Sequence, residues 1–203
     1  IAWVAVSYLW PDWRYLTLER TAGQAIGQNG AYLRHILGQL QHGSVDDVAY
    51  RSVRRQTHER AASLSSTLSD MSGEPKKYAD KLQDGFNLLK TDYALIGYIS
   101  ALGAYRSQMA KDTPDDAFDE GFYRIGYRVA DLLENIAAPD AEAFQTALQQ
   151  VEADLVQLRE HIGERRQNSV LWQQLSMIVR QLEPSHTALH NQQDLEQQLS
   201  ARV

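Results

Sequence analysis

Asp47, Arg51, Arg54, Arg55 and His58 are the densest set of side chains in this sequence that could do chemistry. On a helix, positions 47, 51, 54 and 58 share one face, at i, i+4, i+7 and i+11. Guanidinium groups and an imidazole this close repel one another unless carboxylates or an anion neutralise them. Arg suits such a place because its planar fork grips carboxylate or phosphate through two bonds. The reading the pattern favours is structural: an Asp47–Arg51 surface pair, with the other Arg reaching acidic side chains on the fourth or fifth helix. The functional reading is a contact for anionic lipid head groups or an anionic solute.

The other leads are weaker. Six His are present, and His186 and His190 stand at i, i+4. That pair has a ligand spacing. It follows Pro184 in a polar stretch with no third ligand in view, so both are expected at the surface. Asp115, Asp116, Asp119 and Glu120 cluster where a helix should begin, and carboxylates there complement the helix dipole without any cation. Gly97, Ala101, Gly103 and Ala104, with Tyr98 and Tyr105 one heptad apart, read as close helix packing. A small aromatic ligand between helices is the minority reading. Phosphate-binding and nucleophile-elbow loops are missing from the sequence. The sequence thus nominates no catalytic residue, no metal ligand and no cofactor.

Composition narrows the class. With 203 residues the chain can bury a real core. It has no Cys, which removes disulfides, thiolate zinc sites and cysteine nucleophiles. A net charge of −6 argues against nucleic acid as a partner. Residues 1–60 nevertheless carry seven Arg against five Asp and Glu, so the N-terminal part is the basic one.

Residues 1–10 hold no charge and run into Pro11, with Trp10 and Trp13 on either side of it. Ten helical residues rise roughly 15 Å, half of what a bilayer core requires. The expected reading of 1–13 is the end of a transmembrane helix and its interfacial junction. Trp10 and Trp13 would lie in the aromatic belt, and Pro11 would stop the helix near Trp10. The mild basic excess that follows suits a cytoplasmic flank. The alternative is an apolar segment packed on its own domain.

The rest of the chain reads as helices. Leu18, Ala22, Ala25, Asn29, Leu33, Ile36 and Leu40 give one buried stripe over 15–41. Helix two is expected from Ser44 to Gly73, and helix three from Pro75 to about Ala110 on Leu82, Phe86, Leu89, Tyr93 and Ile96. Thr113–Asp116 opens helix four, Pro139–Asp140 opens helix five and Asn168–Ser169 opens helix six, which should end before Pro184. Short connections between amphipathic helices imply antiparallel neighbours. The expected fold is all-α: an up-and-down antiparallel bundle of about six helices, preceded by the stub of a transmembrane helix. The bundle domain covers 14–183, and 184–203 form a polar C-terminal tail.

Three runs carry a family resemblance: Tyr8–Leu16, the stretch Asp46–His58 continuing through Ala62–Met71 to Glu74–Pro75, and Tyr98–Arg106. They resemble bacterial inner-membrane proteins of the fusaric-acid-resistance-like (FUSC) family, in its YccS/YhfK type. The likeness is strong over 1 to about 110, and the later half matches only as a helical region. The resemblance implies two repeats of a membrane half followed by a cytoplasmic half, with this chain as the last cytoplasmic portion at the bacterial inner membrane. It also implies an association with efflux of aromatic acids and related compounds, and a regulatory or assembly role for this domain. Its partners would be the membrane part and the preceding cytoplasmic half of the same protein, with anionic lipid or a second copy of the chain as further ones. The alternative function is a cytoplasmic protein-interaction module of a membrane protein with no direct part in transport. A self-standing helical enzyme finds no acid–base or ligand set in the sequence.

Overall fold

A computed structural model describes residues 2–43, 47–73, 79–109 and 116–200, with side chains described over 17–43, 47–73, 79–106, 109 and 117–191. Every regular element in it is a helix: α1 (Ala2–His42), α2 (Asp47–Met71), α3 (Ala79–Gly103), the single turn α4 (Arg106–Met109), α5 (Asp116–Glu134), α6 (Ala141–Arg159) and α7 (Arg166–Ser200). The expected all-α bundle is what forms.

α1 is the central helix. It packs against α2 and α3 on one side, against α5 on another, and also meets α7. The helices α5, α6 and α7 pack mutually, and α3 joins the two groups through α7. All seven residues of the expected α1 stripe are buried, and Ile26, Tyr32 and Leu37 are buried beside them because this helix is covered from several directions. The α5 stripe of Phe118, Phe122, Ile125, Val129, Leu132 and Ile136 is buried as expected.

The α1–α5 crossing is close because α1 offers glycine there. A Cβ on Gly30 would lie 2.7 Å from Ala130 O and 2.9 Å from Glu134 N, both backbone atoms. Gly23 and Gly27 face Ala137 and the Leu133 carbonyl on the same side. Arg34 then forks onto Asp131 (2.5 Å) and Glu134 (3.0 Å) and ties the two helices at their edge. These carboxylates hold its guanidinium well above the usual arginine range.

Several expectations are corrected. α1 runs without a break through position 11, so the helix does not stop at Trp10; the side chains of Trp10, Pro11 and Trp13 lie outside the described residues. Among the described residues no helix is long and apolar enough to cross a membrane. The buried face of α3 is Gly85, Leu88, Asp92, Leu95, Ile96, Ile99, Leu102 and Gly103, while Phe86 and Tyr93 are exposed. Apolar counting misplaced that face because its members include Gly85 and the Asp92 carboxylate. α3 ends at Gly103, where Ile36 crowds the backbone and Arg106 Nε donates to Gly103 O at 2.7 Å. The Thr113–Asp115 start signal lies outside the described residues. At α6 the Asp140 cap accepts from Ala143 N–H at 2.9 Å, as its position implies.

α7 continues through Pro184 to Ser200, so the expected end before Pro184 does not occur and 184–200 extend the same helix. An internal proline costs about 3 kcal/mol. Beyond it Ser185, His186 and Leu189 are all buried, and those anchors offset the loss.

Candidate functional site

α2 divides cleanly into two faces. Thr57, Ala61, Leu64, Leu68 and Met71 are buried, against α1 and α3. Arg51, Arg54, Arg55 and His58 lie together to one side of that face, exposed. The structure therefore brings the four residues into one basic surface. Arg51 Nε donates to the backbone carbonyl of Asp47 at 3.0 Å, not to its carboxylate. Arg55 Nε lies 3.4 Å from Glu59 Oε1 within the same helix. Arg54 and His58 have no hydrogen bond or ion pair among the described residues. The cross-helix pairs are made elsewhere, by Arg34 to α5 and by Arg128 to Asp154 on α6 at 2.8 Å.

The start of α2 is fixed from beneath by a polar network that sequence reasoning missed. Tyr32 of α1 shares its hydroxyl with Ser100 Oγ of α3 at 3.1 Å and Tyr50 of α2 at 3.5 Å. Burial pushes the Tyr32 phenol up to about 12, so it stays protonated. The Arg106 guanidinium lies 4.1 Å over the Tyr50 ring and donates to Gln39 Oε1 at 2.6 Å. Gln39 Nε2 meets His35 Nε2 at 3.1 Å. Tyr32 of α1 and Arg106 of α4 thus hold Tyr50, one turn before Arg54. The tyrosines singled out by spacing, Tyr98 and Tyr105, are partly buried packing residues, and Gly97 faces open space. No local signal marks Tyr32 or Tyr50, because their partners lie on other helices.

A second feature is an apolar groove of about 470 Å³ between α5 and α6, walled by Leu132, Phe144, Ala147 and Val151. Phe144 stacks on His186 of α7, with parallel rings 3.8 Å apart. His186 Nε2 meets His190 Nε2 at 2.8 Å. His186 is buried and not at the surface as expected. Among the described residues no group of three or more His, Asp or Glu is placed to hold a metal ion.

The chain is 44% identical over 185 residues to an uncharacterized protein of Haemophilus influenzae, covering 90% of this chain and 26% of that protein. It is 53% identical over 113 residues to an uncharacterized protein, ORF2, of Neisseria gonorrhoeae, covering 55% of this chain and 27% of that one. It is 44% identical over 109 residues to Inner membrane protein YccS of Escherichia coli, covering 54% of this chain and 15% of that protein. The chain is thereby related to an inner-membrane protein. It spans about a quarter or less of the length of these relatives. No family model and no solved structure matches it.

Proposed function

We propose that this bundle is a cytoplasmic domain of a FUSC-type bacterial inner-membrane transporter for aromatic acids or related compounds, with a regulatory or assembly role. The observation that carries this reading is the 44% identity to part of an inner-membrane protein, in a chain whose described helices are all too short or too polar to span a bilayer. A polar bundle of this kind works beside a membrane part and not through the bilayer. The exposed Arg51, Arg54, Arg55 and His58 face supports contact with anionic head groups at the cytoplasmic leaflet. Each Lys or Arg near such a surface contributes about 1 kcal/mol.

The test uses the E. coli relative in cells. Fluorescent and alkaline-phosphatase reporters fused within the matching segment report its side of the membrane. Fluorescence without phosphatase activity is expected, and the reverse pattern overturns the cytoplasmic placement. Deleting the segment while the membrane part is still inserted should reduce efflux of supplied aromatic acids. Unchanged efflux would favour the interaction-module reading.

A further inference from the structure

The α1–α3 interface contains one polar contact deep in the core. Asn29 and Asp92 are both fully buried, and Asn29 Nδ2 donates to Asp92 Oδ1 at 2.6 Å. The same nitrogen donates to Ala25 O at 3.2 Å. These two acceptors fix the orientation of the amide, since turning it over would set its oxygen against both. Two oxygens are then left over, Asn29 Oδ1 and Asp92 Oδ2, each buried without a partner. While the carboxyl is ionised both are acceptors, and neither can satisfy the other. Nothing compensates the charge: the Asn29 amide is the one polar group that acts on Asp92, and no charged or titratable side chain of α1, α2, α3 or α7 does so among the described residues. A buried carboxylate with a single neutral hydrogen bond is strongly disfavoured.

We propose that Asp92 is a proton-binding site: the folded bundle holds it as the neutral acid, its O–H donating to Asn29 Oδ1 to close an acid–amide ring between α1 and α3. Ionisation releases the proton to solvent, opens the ring and loosens this interface. The inference does not depend on the transporter reading. It makes the bundle responsive to pH near neutrality through a group that no ligand touches.

Burial pushes the Asp92 carboxyl from 3.8 up to about 7, and the Asn29 bond draws it down only in part. A folded value above the unfolded one means that the folded chain holds more protons between the two. Stability from this group therefore falls as pH rises from about 4 to about 7, then levels off. His186 works in the opposite sense, since burial and His190 lower it from 6.5 to about 4. The parent profile alone would blur the two, so a difference between variants is required.

The experiment is urea unfolding of the 203-residue chain from pH 5 to pH 8, parent against Asp92→Asn, which keeps the shape and the Asn29 contact. Relative to the variant, the parent should lose about a hundredfold in its folding equilibrium constant between pH 5 and pH 8. In parallel, the Asp92 carboxyl carbon of the parent is followed by NMR and should titrate near neutrality. Equal pH dependence of parent and variant overturns the proposal. So does an Asp92 resonance that titrates in the ordinary carboxylate range. If the variant does not fold, the parent titration decides alone.

Discussion

His186 shows how one side chain can change meaning once its neighbours are known. From its spacing it was a surface residue four positions from another histidine. In the fold its ring lies parallel to Phe144 and its Nε2 meets His190. Burial first, and the neighbouring imidazole second, lower its proton affinity to about 4. The unfolded imidazole takes up a proton near 6.5, so the stability this residue gives is full above that value and is lost as pH falls through about 4. His186→Leu keeps an apolar group against Phe144 and removes the titration. Between pH 7 and pH 4.5 the parent should lose roughly 1 to 2 kcal/mol more than this variant, read from denaturant midpoints. Identical losses would show that the ring stays solvated.

Glycine separates the helices that touch from those that do not. Gly30 of α1 has backbone atoms of α5 where its Cβ would go, and Gly97 of α3 has nothing within 4 Å. Gly30→Ala should force the two helices apart and destabilise the chain by about 1 to 3 kcal/mol. Gly97→Ala should stabilise it by up to about 1 kcal/mol, because alanine limits the unfolded chain at no packing cost. Urea unfolding of both variants checks the contrast, and a neutral Gly30→Ala would deny the close crossing. Sequence reading had singled out Gly97 and passed over Gly30, since spacing shows that small residues recur but not which helix faces them. The same limit explains α3. Helix existence was legible, as was the Asp140 cap, while α7 begins at Arg166, ahead of the expected Asn168–Ser169 start; the α1 and α5 stripes were right residue by residue. The α3 face was misplaced because its buried positions include Gly85 and Asp92, whose burial depends on Leu18 and Leu68 in one case and Asn29 in the other. Pro11 and Pro184 were read as stops, yet helix runs through both positions. At Pro184 a local penalty of about 3 kcal/mol is outweighed by anchors further along the chain. The basic set on α2 was visible from spacing alone, whereas the Tyr32–Tyr50–Arg106 network beneath it joins residues up to 74 positions apart in three separate stretches and left no pattern to read.

For the molecule as a whole, charge is distributed against its average. The net charge is −6, yet one face of α2 presents Arg51, Arg54, Arg55 and His58 to solvent. Vesicles containing anionic lipid should bind the chain, and neutral vesicles should not. Arg51→Ala/Arg54→Ala removes two charges worth about 1 kcal/mol each at the surface, so binding at low salt should weaken on the order of 30-fold. Rising salt should narrow the difference within the range where the Debye length falls below about 10 Å. Neither Arg makes a hydrogen bond or ion pair to another helix among the described residues, so the variant should melt close to the parent. Sedimentation with vesicles and a thermal melt check both statements, and equal binding of the two proteins would remove lipid from the reading.

The Arg34 clasp also sets a schedule for synthesis. Its partners Asp131 and Glu134 come 97 and 100 residues later in the chain. At about 5 to 20 residues per second, the ribosome needs roughly 5 to 20 s to supply them. For that interval the glycine-lined face of α1 has no α5 to cover it, and α2 and α3 must hold the nascent helix in place. Long-range closure of this kind slows folding compared with a bundle whose helices meet only their chain neighbours. The nascent chain is then open to chaperones, or to a second growing copy, until α5 arrives.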